Sequence, residues 1–305
     1  MAAKKVVIGG GTGFVGQRLG ELLKLHQYEI LNVSRMPGVN NISWSNIKKT
    51  GLPLNTYAVV NCAGQQFMDF TKSWSPGFKQ NVHNSRVYTT QALADAINKH
   101  YKDKKPVAYV VITGVGAYEP SDDKRYDEAS PAATGTDFFS KLVVEWENAA
   151  KVDPPVRLVI IRSGAVLGRW GGMIKNMFMP FYLGMGGPIG SGKQFLPWIH
   201  IDDLVRLIHF AIENPEVKGI LNGVAPQVIT NEEFTKAFAK ALNRPAFLPV
   251  PELFLNLLLN PERAMIMTKG QCVVPKKVED YGFKYKYPHI EDACKEFSHL
   301  FPKKT

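Results

Sequence analysis

The chain has 305 residues, 45% apolar and 21% charged, enough for an α/β core with a smaller second unit, and far from the composition of a disordered chain. Its richest apolar run, Leu253 to Leu259, is broken by Asn256 and falls well short of the ~20 residues of a membrane-spanning helix, so no membrane insertion is expected. The net charge of +10 divides as +5, +2 and +3 over residues 1–60, 61–204 and 205–305, too evenly for a polyanion-binding stripe.

The one dense basic run, Lys102, Lys104 and Lys105, falls in a turn before a strand with no aromatic platform beside it, which argues against nucleic acid as a partner. A basic balance suits an anionic small ligand or a basic compartment such as the mitochondrial matrix. Cys62, Cys272 and Cys294 are an odd number without C-x-x-C spacing, which predicts buried thiols, no disulfide framework and no metal site.

Met1-Ala2-Ala3 leads into Lys4-Lys5 and an apolar run, leaving no room for a targeting segment ahead of it. A presequence already removed leaves the same picture, so cytoplasm and mitochondrial matrix both stay open. Strands are predicted at Lys5–Gly9, Glu29–Val33, Ala58–Ala63, Val107–Thr113 and Arg157–Arg162. All are nearly uninterrupted β-branched runs, as in strands buried on both faces. Helical periods at Gly13–Leu25, Phe78–Lys99 and Asp137–Lys151 alternate with them, the pattern of a doubly wound parallel sheet with helices on both sides.

After about Gly164 glycine clusters interrupt the alternation. The expected boundary is therefore 1–165 for a nucleotide-binding domain and 166–305 for a smaller mixed α/β lobe. That lobe is expected to hold a short strand at Gly219–Val224 and a helix opening at Thr230 with Glu233 in the capping-box position. A helix at 202–213 is expected to pack back on the first domain.

The most informative segment is Gly9-Gly10-Gly11-Thr12-Gly13-Phe14-Val15-Gly16, between the first strand and the first helix. Glycines there let the chain turn tightly and bring backbone N–H groups to a pyrophosphate, while the helix N-terminus adds partial positive charge. Gly16 would let the helix pack close to the sheet. NAD-preferring sites end the second strand in a carboxylate, whereas this chain has Val33-Ser34-Arg35. A hydroxyl and a guanidinium suit a 2′-phosphate instead, so the expected cofactor is NADP(H).

With that turn, Asn61-Cys62-Ala63-Gly64 after a later strand, and Trp198-Ile199-His200-Ile201-Asp202-Asp203, nearly the whole chain resembles the extended short-chain dehydrogenase/reductases. Ser85-Arg86, Arg162 to Gly168, and Gly186 to Gln194 look like the atypical, epimerase-like (cell-division-inhibitor-like) branch. Gly270-Gln271, Pro275 and Gly282-Phe283 resemble that branch's C-terminal domain of unknown function. The resemblance implies a Rossmann domain binding NADP(H) through Gly10, Thr12, Gly13, Phe14, Val15, Gly16, Ser34, Arg35, Cys62, Ala63, Gly64 and Lys141. It leaves the small-molecule substrate unassigned, and a homodimer or larger assembly open.

Family members work with Tyr-x-x-x-Lys. Aligning Lys141 to that lysine puts Asp137 in the tyrosine's place. An aspartate titrates near ~3.9 and is a poor proton donor at neutral pH; at this spacing it would pair with Lys141 or cap the helix. Thr113 is the nearest hydroxyl to polarise a carbonyl, and Tyr118 a possible replacement acid on the loop above; Tyr126 and Tyr182 are weaker candidates. His200 with Asp202 and Asp203, and Trp74, Trp146 and Trp198, read first as structural, while Trp170 beside Gly171-Gly172 is a candidate cleft residue. The expected activity is oxidoreduction or epimerisation of a small polar substrate; the alternative is a catalytically inactive NADPH-binding subunit or sensor.

Overall fold

The computed structural model describes residues 4–35, 38, 41–69, 71–100, 105–135 and 137–300. Met1 to Ala3, and Lys102 and Lys104 of the basic run, lie outside the described residues. Among the described residues the strands are β1 (Lys5–Gly9), β2 (Glu29–Ser34), β3 (Asn41–Ser43), β4 (Thr56–Asn61), β5 (Ala108–Gly114), β6 (Arg125–Tyr126), β7 (Arg157–Ser163), β8 (Ala165–Gly168), β9 (Trp198–His200), β10 (Gly219–Gly223) and β11 (Cys272–Val273). The helices are α1 (Phe14–Leu25), α2 (Trp44–Thr50), α3 (Pro76–Asn98), α4 (Phe138–Asn148), α5 (Gly172–Tyr182), α6 (Ile201–Glu213), α7 (Asn231–Leu242), α8 (Glu252–Leu259), α9 (Pro261–Thr268), α10 (Lys276–Asp280) and α11 (Ile290–Phe297).

Seven strands form one parallel sheet in the order β10-β7-β5-β4-β1-β2-β3. This is the Rossmann arrangement, and the order reverses between β1 and β4, the place where sheets of this kind bind ligands at the strands' C-terminal ends. Alternation within the buried strands divides the core. Val6, Ile8 and Val60 face α1 and α6 through Leu19, Leu23, Leu204 and Ile208. Val7, Val59 and Val111 face the other side, with Ile47 of α2, Leu93 and Ile97 of α3 and Trp146 of α4.

The short strand expected in the second lobe is β10, which pairs with β7 over Gly219↔Val159 to Gly223↔Ser163 and closes the main sheet. The chain leaves the sheet after β7, builds part of the lobe, and returns through α6 and β10. A strand of five residues carries no signal of which sheet it will join, whereas α6, buried against α1, delivers β10 to the open edge of β7. Also absent from the sequence reading are β3 and α2, whose three and seven residues are too short for a period to show. The lobe has its own core of Phe178, Phe234, Phe238, Ile290 and Phe297 from α5, α7 and α11. Thr230 and Glu233 form the expected capping box on α7.

Candidate active site

The phosphate turn follows from local geometry. Gly10 has φ +74°, and a Cβ there would lie 2.7 Å from the Ala63 Cα, so glycine is required on both counts. A Cβ on Gly16 would collide with the Gly10 carbonyl and the Gly11 Cα. Gly16 thus brings α1 onto its own turn rather than onto the sheet. Gly13 is the extended N-cap of α1, with no side-chain cap and no acidic residue in the first turn, so that turn's N–H groups and dipole stay available to an anion. Thr12 is exposed beside it. Phe14 turns its ring onto Gly168, where a Cβ would be 2.9 Å away, and Val15 packs on the core. Among these residues the Phe14 and Val15 side chains fasten the turn and leave its backbone N–H groups at the start of α1 uncapped.

Two flanking segments complete the crevice. At the end of β2, Ser34 is buried and engaged in the fold while Arg35 is exposed. At the end of β4, Cys62 N–H donates to the Gly9 carbonyl at 2.8 Å and Ala63 N–H to Asn61 Oδ1 at 3.1 Å, which lays Cys62, Ala63 and Gly64 beside the glycine turn. Burial pushes the Cys62 thiol up to about 12, so it is protonated at neutral pH and no nucleophile. Arg86 of α3 is buried behind Gly64 and donates to the carbonyls of Gln65 (2.9 Å) and Val82 (3.1 Å). Ser85 Oγ accepts from Gln65 N–H at 2.8 Å. The Ser85-Arg86 pair therefore holds the loop after β4.

The polar groups at the ends of β5, β7 and β10 meet in register. Thr113 of β5 lies opposite Arg162 of β7, which lies opposite Asn222 of β10. Arg162, 2% exposed, forms a two-pronged ion pair with Glu147 of α4, both contacts at 2.8 Å. The Thr113 hydroxyl donates to the same carboxylate at 3.2 Å. The Tyr118 ring lies over the Arg162 guanidinium, with its centroid 4.9 Å away. Its hydroxyl donates to Asn222 Oδ1 at 2.8 Å, and burial raises the phenol against the pull of Arg162. Tyr118 is 1% exposed and stacked on Tyr126. Thr113 and Tyr118 are thus brought together around Glu147 and Arg162, and Lys141 is not, being exposed one turn inside α4.

Asp137 caps α4 and makes no ion pair with Lys141. Its Oδ1 accepts from Phe139 N–H (2.8 Å) and Ser140 N–H (3.1 Å), and its Oδ2 from the Ser140 hydroxyl (2.6 Å). Burial raises this carboxyl, but those hydrogen bonds outweigh it and hold it below the ordinary carboxylate range. His200 caps α6, its ring accepting from Asp202 N–H, and Asp203 accepts from the N–H groups of Lys286 and Tyr287, both at 2.7 Å. These are fold contacts, as expected. Trp170 is exposed, with Arg169 over its ring.

The residues that sequence reasoning missed are Glu147 and the segment from α9 to β11. An arginine inside the apolar run Arg157–Arg162 was the available signal for a buried partner, and a carboxylate on the inner face of the neighbouring helix was the place to seek it. The C-terminal segment reaches the loops after β4 and β5 and the end of β10. Arg263 donates to the carbonyls of Asp69 (2.8 Å) and Lys72 (3.0 Å), Gln194 Nε2 to Met267 O (3.0 Å), Gln271 Nε2 to Tyr118 O (3.0 Å), and Asn222 Nδ2 to Val274 O (2.9 Å).

Residues 6–222 match the NAD dependent epimerase/dehydratase family, and residues 250–297 match a domain of unknown function, DUF1731. The chain is 46% identical to the epimerase family protein SDR39U1 of Bos taurus, over 96% of this chain and 99% of that protein. It is 36% identical to a chloroplastic homologue from Arabidopsis thaliana, over 95% and 85% of the two chains. The crystal structure of human SDR39U1 (isoform2) with NADPH, 44% identical, superposes with a TM-score of 0.94 over 97% of this chain and all of that one. The parallel sheet, the glycine turn at its crevice and these matches place the chain in the NAD dependent epimerase/dehydratase family.

Proposed function

We propose that the chain binds NADP(H) across the C-terminal edge of the sheet and exchanges a hydride there with a small polar substrate, as an oxidoreductase or epimerase. The observation that carries this reading is the cradle itself, in which Gly10 and Gly16 exclude a Cβ and α1 begins without a cap or an acid. Those features fit a pyrophosphate. Exposed Arg35, where an NAD site carries a carboxylate, fits the 2′-phosphate. The NADPH seen with the human protein supports the same cofactor. Bound cofactor would give the hydride as NADPH in a reduction, or take it as NADP+ and return it in an epimerisation. Lys141 would hold the nicotinamide ribose, and the ends of β5 and β7 would line the reacting face.

A second reading, an NADPH-binding subunit without turnover, is favoured by three hydrogen bonds. Thr113 gives its proton to Glu147, Tyr118 gives its own to Asn222, and Asp137 is committed to capping α4. Titrating NADPH and NADH into the parent and Arg35→Asp tests the cofactor assignment. The preference is expected to shift towards NADH by ~1.5–3 kcal/mol, the scale of a hydrogen bond to a charged group. Unchanged relative affinities would remove Arg35 as the phosphate reader. A panel of carbonyl compounds and nucleotide sugars then separates the readings. Cofactor consumption supports the enzyme, and tight retention without turnover supports the subunit.

A further inference from the structure

The C-terminal lobe carries an apolar face that no described residue covers. Helix α8 reads Glu-Leu-Phe-Leu-Asn-Leu-Leu-Leu. Leu255 and Leu259 are buried, whereas Leu253, Phe254, Leu257 and Leu258 are 80%, 55%, 86% and 62% exposed. A helix that is apolar all round belongs in an interior, so half of the surroundings of α8 are missing. The extended strip Pro245–Pro251 that feeds it lies beside residues 186–190, through Leu248 N–H to Gly186 O (3.2 Å) and Val250 N–H to Pro188 O (2.9 Å). Phe247, Met185 and Leu183 are open there too, at 71%, 55% and 60%.

Nine of the fifteen large apolar side chains exposed among the described residues lie between Met179 and Met185 or between Phe247 and Leu258. Summed over α8, the strip and residues 179–185, they offer on the order of 1,000 Å² of apolar surface, against ~800 Å² per partner in a stable interface. The strip from Pro245 to Pro251 is uncharged, so it offers nothing for a charged partner to read. The polar positions of α8 are Glu252 and Asn256, with no basic side chain to meet an anionic bilayer. Exposed Arg244, whose Nε donates to the Tyr182 carbonyl at 2.7 Å, and exposed Glu252 bracket the strip with opposite charges. Two copies laid antiparallel about a two-fold axis would set each arginine against the other's glutamate, the self-complementarity that an isologous interface requires.

We propose that α8 and the strip before it form the interface through which two copies of this chain associate. Sedimentation velocity of the full chain over the micromolar range tests this, with unfolding temperature and far-ultraviolet circular dichroism as fold controls. A two-copy species is expected, with Leu257→Glu and, separately, Leu253→Glu weakening association at least ~30-fold, the size of a hot-spot loss. Glu252→Arg is expected to weaken it as well, and adding Arg244→Glu to restore it. A single-copy parent at every concentration overturns the proposal, as does a dimer indifferent to both leucine variants. A charge-swapped double variant no tighter than Glu252→Arg overturns the antiparallel pairing. Flotation of a single-copy chain with phosphatidylcholine–phosphatidylserine vesicles, abolished by Leu257→Glu, assigns the face to a membrane instead.

Discussion

Gly10 and Gly13 are the same residue type in one turn, yet they do different work. At Gly10 both the positive φ and the contact with Ala63 forbid a side chain. At Gly13 the backbone is extended and the nearest atom to a Cβ is the Gly10 carbonyl at 3.3 Å. Gly13→Val is therefore expected to leave a folded protein with an unfolding temperature close to the parent's, but to abolish NADPH binding by filling the space of the pyrophosphate. Gly10→Ala is expected to lower stability itself, by ~1–3 kcal/mol for a strained backbone. Thermal melts run beside calorimetric titration check both, and undiminished NADPH affinity in Gly13→Val would sink the phosphate-turn assignment. Asp137 yields a prediction of pH dependence. Its carboxyl is held below the unfolded value, so its stabilisation is complete above that value and is lost as pH falls through the lower, folded one. Asp137→Asn, which still caps a helix, is expected to melt near the parent at neutral pH and to lose less stability than the parent between about pH 5 and the acid limit.

At the scale of elements, α4 is fastened to the sheet by one buried ion pair. Removing one partner of such a pair costs ~3–5 kcal/mol because the other charge stays buried, whereas an apolar replacement of both is far milder. Glu147→Ala is thus expected to be strongly destabilising, since Arg162 is 2% exposed and its Nη1 already lacks an acceptor. The double change Glu147→Met with Arg162→Met is expected to recover part of that loss in denaturant titration. A double variant less stable than Glu147→Ala would show that the pair contributes net stability rather than register. Because Glu147 also accepts from Thr113, Glu147→Gln frees no new acid but alters the one hydroxyl at the end of β5, which links the packing of α4 to that strand end.

The whole molecule is tied together from its C-terminal end. Val278 and Phe283 complete the core under the main sheet, while Ile290 and Phe297 complete the core of the lobe. The region matching a domain of unknown function accordingly contributes to both cores. A chain ending at residue 249 is expected to show no cooperative unfolding transition by calorimetry. A sharp transition near the parent's temperature would instead establish that the first 249 residues fold alone. The segment from Arg263 to Val274 also touches the loops after β4 and β5 and Asn222 at the end of β10, so the region that closes the cores borders the C-terminal ends of the strands.

The sequence by itself determined whatever depends on neighbours along the chain. Continuous β-branched runs with helical segments between them are legible because burial on both faces of a parallel sheet leaves no alternation to read. The glycine turn and the Thr230–Glu233 capping box are legible because each works within a few residues. What only tertiary structure decided are pairings between distant elements. Five residues at 219–223 cannot announce that β7 has an open edge for them, and Tyr118 gives no local sign that its hydroxyl is spent on Asn222, 104 residues away. Glu147 and Arg162 meet because a helix and a strand pack. The apolar run around Leu257 was visible from composition, but only the packing of α8 separates the two leucines the lobe buries from the four side chains left in solvent.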